Sequence, residues 1–235
     1  MFDDHKITAL IAAGGCGARM NLDLAKPLLE IRNKPIIIYT LEAFQTHPWI
    51  DEIVLIFNKD GLLEARDLVK RFNLSKVARV IAGGSTRKES VSRGLDVVDS
   101  KTKFVVIHDG VRPFVDEGSI SRVIAAAFES GAAVLGVPVK STIKQVDRNA
   151  EVDATLKRDL LWEIQTPQVF DRELIQKAYL RQSKHAVPDD AALVELMGKK
   201  IKVVMGSYFN IKITTQEDLV FAEAIAGIKV IEEAL

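Results

Sequence analysis

Short, β-branched apolar runs alternate along this chain with segments whose apolar residues return every three or four positions. The runs are Ile7–Ala12, Glu52–Phe57, Arg79–Ala82, Phe104–His108 and Ala132–Pro138; between them lie Pro35–Gln45, Leu62–Phe72, Arg87–Val98 and Gly118–Glu129. Continuous runs suit strands covered on both faces, and the intervening stripes suit the helices that cover them. The expected fold is therefore α/β: a three-layer, Rossmann-like, mostly parallel sheet with right-handed crossovers. With 235 residues the chain can bury roughly 70–75% of its unfolded surface, enough for a core without staples.

The rhythm breaks at about 140–158. Thr142–Asp147 and Val152–Leu156 flank Arg148-Asn149-Ala150-Glu151, a polar hairpin arm expected to protrude from the sheet. An isolated two-stranded hairpin is only marginally stable in water, so something must cover its apolar side. Packing on its own domain and contact with another subunit are equally good answers at this point. Beyond the arm follow an apolar Leu160–Ile164 run, helix candidates Arg172–Gln182 and Asp190–Met197, a strand Lys202–Met205 and a closing helix from about Gln216. Thr214 or Thr215 suits its N-cap, with Glu217 and Asp218 on the first turn.

Charge narrows the function. Lys and Arg number 32 and Asp and Glu number 32, which weighs against a partner bound through a broad basic surface, whether nucleic acid or membrane. The single cysteine, Cys16, rules out an internal disulfide and a multi-thiolate metal site within one chain. His5, His47, His108 and His185 include no pair at helical ligand spacing. Ile7 to Ala18 is too short and glycine-rich to span a bilayer, and Met1 to Lys6 lacks the basic region of a secretory signal. A cytoplasmic protein of one domain, 1–235, is expected.

Directly after the first run comes Ala12-Ala13-Gly14-Gly15-Cys16-Gly17-Ala18-Arg19-Met20. Glycines there let a backbone approach an anionic ligand and aim N–H groups at it. A dinucleotide fingerprint would need a third glycine at Met20 and an acid about 20 residues later, and a phosphate loop of the Walker type would need Gly-Lys-Ser/Thr. Neither is present. Arg19 and Lys26, the latter in Leu24-Ala25-Lys26-Pro27-Leu28, could instead neutralise a polyphosphate; the ordinary alternative is a pair of solvated surface charges.

The combination carries more. Gly-Gly-x-Gly-x-Arg-Met, Lys26-Pro27-Leu28, Asn33-Lys34-Pro35-Ile36, Gly83–Val91, His108-Asp109-Gly110-Val111-Arg112-Pro113, Thr166-Pro167-Gln168, Asp189-Asp190-Ala191 and Asn210–Thr214 follow one another in order. Together they resemble the 2-C-methyl-D-erythritol 4-phosphate cytidylyltransferase family of sugar and polyol-phosphate nucleotidyltransferases, from Ile7 to the last helix. The resemblance implies transfer of CMP from CTP to methylerythritol phosphate, with ribitol-5-phosphate as the rival acceptor. An NAD-dependent oxidoreductase and a non-catalytic nucleotide-binding regulator are the rivals of other classes.

By resemblance, Arg19, Lys26 and Lys212 are catalytic, and Ala13, Gly14, Gly15, Gly17, Gly84, Ser85, Ser90 and Asp109 bind nucleotide. Asp109, Arg112, Thr142, Arg158, Thr166 and Lys212 would serve the polyol phosphate. Mg²⁺ or another divalent cation would be held mainly by CTP phosphates, with Asp109 its one candidate protein ligand. The family also implies a homodimer through the hairpin arm. Three local alternatives stand beside this: Ser90 as a hydroxyl serving its own helical turn, Asp109 and Arg112 as an i,i+3 ion pair, and Asp189-Asp190 as a helix cap. His108 is expected to be structural, since a phosphate monoester is already an anionic nucleophile. Gly110 and Pro188 stand where the family often has other residues, and Ala25-Lys26-Pro27 departs from its usual Pro-Lys-Gln.

Overall fold

The computed structural model describes residues 2–14, 26–181 and 186–234. Gly15, Cys16, Gly17, Arg19 and His185 lie outside these residues. Eleven strands and seven helices are present among them. Seven strands form one sheet: β1 (Lys6–Ala13), β4 (Glu52–Phe57), β5 (Val77–Ala82), β6 (Thr102–Asp109), β7 (Ala132–Pro138), β10 (Trp162–Asp171) and β11 (Lys202–Met205). Their order is β11-β7-β10-β6-β1-β4-β5, and only β10 runs antiparallel to its neighbours. The mostly parallel sheet read from the alternation is thus present.

Side-chain alternation builds the two outer layers. Ile7, Ala9 and Ile11 of β1 face α1 (Ile36–Thr46), α2 (Leu62–Arg71) and α4 (Glu117–Ser130), packing with Ile38, Phe44, Leu68 and Ile124. Leu10 faces the opposite layer, where Val91 and Leu95 of α3 (Arg87–Asp96) meet Ile175 of α5 (Arg172–Arg181) and Val194 of α6 (Asp190–Glu195). A third cluster sets α7 (Gln216–Ala234) over Ile31, Ile36, Phe114 and Ile213. Helix boundaries follow their chemistry. Asp116 caps α4 by accepting from Ser119 N at 2.7 Å, and Gly131 closes that helix at a φ of 78° that favours glycine. At α7, Asp218 accepts from the backbone N–H groups of both Thr214 and Thr215. No helix among the described residues is long and apolar enough to cross a membrane.

Two expectations change. The apolar run ending at Ile164 is only the start of β10, which continues through Thr166-Pro167-Gln168 to Asp171. Proline in a strand ordinarily argues against one; here Pro167 falls where the β10–β7 register shifts, between Ile164↔Gly136 and Gln168↔Val134, so its lack of an N–H costs the ladder little. The strand expected from Arg79 starts earlier, at Val77.

The hairpin is present as β8 (Lys144–Val146) and β9 (Val152–Thr155), in a sheet of its own. Every residue of both strands is exposed, including Val146 at 50% and Val152 at 59%. Packing of the arm on its own domain, one of the two open readings, is therefore not what the chain does. The minor pair β2 (Glu30–Ile31) and β3 (Lys34–Pro35) leads into α1.

Candidate active site

Parallel strands deliver their ligands' contacts at the carboxyl ends, and three such ends meet here. Ala13 closes β1, Phe57 closes β4 and Asp109 closes β6, with Ala12 opposite Asp109 in register. Gly14 continues from β1 toward Gly83 and Ser90; a Cβ on Gly14 would meet the Ser90 hydroxyl at 3.4 Å and Gly83 Cα at 3.8 Å. Gly83 is tighter still, since a Cβ there would lie 2.8 Å from Ser90 Oγ. The expected nucleotide-binding residues Ala13, Gly14, Gly84 and Ser90 therefore share one floor.

Their polar groups are already engaged. Ser90 Oγ donates to Thr86 O at 2.8 Å and accepts from Gly84 N at 3.0 Å, so the helical-turn role considered for this hydroxyl is realised. Ser85 donates through N and Oγ to Glu89 Oε2. Thr86 caps α3, accepting from Glu89 N at 3.0 Å.

Asp109 is the electrostatic centre. Its buried carboxylate meets Arg87 Nε at 2.9 Å on Oδ1, and Lys212 Nζ at 2.8 Å and Arg112 Nε at 3.5 Å on Oδ2. Burial alone would raise its pKa, but Arg87, Lys212 and Arg112 outweigh burial and hold the carboxyl far below the usual carboxylate range. The i,i+3 pair with Arg112 is thus formed, as the longest of the three contacts rather than the whole explanation. Arg112 also donates from Nη1 to Asn210 O at 2.8 Å, and Ile213 N donates to Val111 O, tying the Asn210–Thr214 segment to the loop after β6. Lys26, buried in a short 3₁₀ turn, donates to Thr214 O at 2.5 Å. Lys26, 186 residues before Lys212 in sequence, is thereby tied to the five-residue segment that carries Lys212.

Behind Asp109, hydrogen-bond logic fixes His108. Its Nε2 lies 3.1 Å from Arg112 O, which can only accept, so Nε2 carries the proton; Nδ1 then accepts from the Thr166 hydroxyl at 3.0 Å. Thr166 Oγ1 in turn accepts from Asp109 N at 3.1 Å. Burial pushes the His108 pKa down to about 4, so the ring is neutral and structural at working pH. The Thr166 hydroxyl, expected near the substrate phosphate, is buried and holds Asp109 and His108 in place. Gly110 has no space for a side chain: a Cβ would lie 2.7 Å from Ala13 Cβ and 3.0 Å from Ile37 Cδ1.

Two expected substrate residues are elsewhere. Thr142 and Arg158 are exposed at the base of the arm, where Arg158 Nη1 donates to Lys140 O at 3.0 Å; among the described residues neither bonds to the Asp109 cluster. Asp189 is the N-cap of α6, accepting from Ala192 N at 3.0 Å, as the capping alternative had it, while Asp190 is buried beneath Arg87. Sequence reasoning assigned Arg87 no role. Its signal was there: a cation in the first turn of a helix opposes the helix dipole and calls for an acid nearby.

Comparison with known proteins gives the family. Residues 7–227 match the family model described as 2-C-methyl-D-erythritol 4-phosphate cytidylyltransferase. Curated relatives of that name include proteins from Syntrophus aciditrophicus, 44% identical over 93% of this chain and 95% of its own, and from Halalkalibacterium halodurans, 42% identical over 94% and 97%. The crystal structure of 4-diphosphocytidyl-2C-methyl-D-erythritol synthase from Anaerococcus prevotii superposes with a TM-score of 0.85 at 35% identity, covering 95% of this chain and 96% of that one. On this evidence the chain belongs to the 2-C-methyl-D-erythritol 4-phosphate cytidylyltransferase family.

Proposed function

We propose that this protein transfers CMP from CTP to 2-C-methyl-D-erythritol 4-phosphate, a step of non-mevalonate isoprenoid precursor synthesis in the cytoplasm. A phosphate oxygen of the polyol attacks the α-phosphorus of CTP in line. A new P–O bond forms, the bond to the bridging oxygen breaks, and pyrophosphate leaves with the electron pair. The attacking phosphate is already anionic, so no general base is required, in keeping with a neutral, fully engaged His108.

The difficulty is bringing two polyanions together. The observation that carries the reading is the gathering of Arg87, Arg112 and Lys212 on Asp109, with Lys26 bonded two residues beyond Lys212, beside the floor of Gly14 and Gly83. Arg19 belongs to the same proposal by resemblance. Such groups act by positioning and by stabilising charge at the pentavalent phosphorus. Lys212 is the most accessible cation around Asp109, with a side chain 37% exposed, and is the one suited to leave Asp109 for a phosphate.

A divalent cation fits these residues in one way. Among the described residues no three His, Cys, Asp or Glu side chains cluster as a metal cage, and Asp109 is the carboxylate at the centre of the cation cluster. That suits Mg²⁺ carried on the triphosphate with its waters. When bound, it would neutralise phosphate charge and polarise the α-phosphoryl group. The exposed arm supports a homodimer in which Val146 and Val152 are covered, and Thr142 and Arg158 could then reach a partner's cleft. The test is pyrophosphate release with CTP and Mg²⁺ against methylerythritol phosphate, ribitol phosphate and sugar 1-phosphates. Preference for methylerythritol phosphate is expected; turnover with ribitol phosphate at equal or higher kcat/KM would overturn the assignment.

A further inference from the structure

Arg87 opens α3, whose N-terminus already carries partial positive charge. Two acids compensate. Nε donates to Asp109 Oδ1 at 2.9 Å, and Nη2 lies 2.7 Å from Asp190 Oδ2. Asp190 is buried at the start of α6, and its Oδ1 accepts the Tyr179 hydroxyl of α5 at 2.5 Å. Burial, reinforced by Asp190, pushes the Tyr179 phenol up, so it remains a donor. The two oxygens of Asp109 are thus divided: Oδ1 is tied inward through Arg87 to α6 and α5, while Oδ2 faces Arg112 and the accessible Lys212.

We propose that Arg87, anchored on Asp190, is a positioning residue for the transfer reaction: it clamps Asp109 through Oδ1 so that Oδ2 and Lys212 are presented to the reacting phosphates. This rests on the cytidylyltransferase reading given above. Only a planar guanidinium can reach two carboxylates at once from Nε and Nη2; a lysine is a point charge and keeps at most part of the arrangement. The clamp also explains why a chain rich in alternatives spends an arginine at a helix start. Three cations against two carboxylates leave one positive charge in excess around Asp109, and Arg87 is the cation held on both sides by acids, so it is not the one released to substrate.

Arg87→Ala alone would strip the ion pair from buried Asp190 and threaten folding. The test therefore combines Arg87→Met with Asp190→Asn, which strands no charge at residue 190 and keeps an acceptor for Tyr179. Relative to wild type, kcat should fall about 10- to 100-fold, as for a misplacement on the order of 1 Å, with KM for CTP within about threefold. Arg87→Lys with Asp190 retained should recover part of the lost kcat. The crystal structure of the double variant should show the Asp109 carboxylate turned away from Lys212. A double variant with kcat within about twofold of wild type, or a loss wholly in KM, overturns the proposal. Should wild type release no pyrophosphate with CTP and methylerythritol phosphate, the functional reading fails. The clamp is then judged by the variant's structure: a turned carboxylate supports it and an unmoved one refutes it.

Discussion

Acid should weaken this fold at one identifiable side chain. His108 is buried between Thr166 and Arg112 and against Phe44, and its pKa falls from 6.5 to about 4 in the folded chain. Below pH 6.5 the unfolded chain takes up a proton that the native imidazole refuses, so between about 4 and 6.5 the unfolded state binds more protons. Stability therefore rises with pH there: the contribution is complete above 6.5 and is lost as pH falls toward 4. The gap corresponds to about 3 kcal/mol, of which roughly 2 kcal/mol should vanish between pH 7 and pH 5. The assay is urea unfolding of wild type and His108→Gln at pH 7, 6 and 5, followed by the fluorescence of Trp49 and Trp162. Glutamine can donate to Arg112 O and accept from Thr166 but does not titrate. His47 and the carboxylates are common to both proteins, so the difference in slope isolates residue 108. Parallel pH dependences would refute the reasoning.

Lys26→Ala should lower turnover by about 10²–10³-fold if its ammonium acts as a single transition-state donor; near-normal pyrophosphate release would remove it from the machinery. Replacing both Val146 and Val152 by Glu should convert a dimer into monomers in sedimentation velocity, since each valine loses about 1.5 kcal/mol or more of burial. A dimer unchanged by both substitutions would show that the arm is not its contact.

Much of the fold is legible because its signal is local. Ile7–Ala13 and Glu52–Phe57 are continuous apolar runs whose burial on both faces requires the flanking helices that the periodicity announces. The exception, β10, carries polar Gln165, Thr166 and Gln168 in its buried half, and these look like loop until their partners are known. Gln165 donates to Ser207 O, and Gln168 donates to Asp189 and accepts from Ala191 N; all are contacts across the fold. The site shows the same division. Gly14, Asp109, Arg112 and Lys212 are recognisable from motifs and the turn role of Ser90 from its helical position, whereas the engagement of Thr166 depends on which nitrogen of His108 carries the proton. The pairing of Arg87 with Asp190 joins residues 103 positions apart and has no local pattern. Likewise, the sequence left the arm's covering open; only its full exposure removes the intramolecular answer.

The proposed reaction requires cations remote in sequence to share one pair of phosphates. A crystal structure with the reaction product bound tests this most directly. It should place phosphate oxygens at about 2.8–3.0 Å from Lys26 Nζ and Lys212 Nζ, above Gly14 and Gly83, with Lys212 withdrawn from Asp109. Phosphates bound away from both lysines, with the Lys212–Asp109 pair still closed, would contradict it.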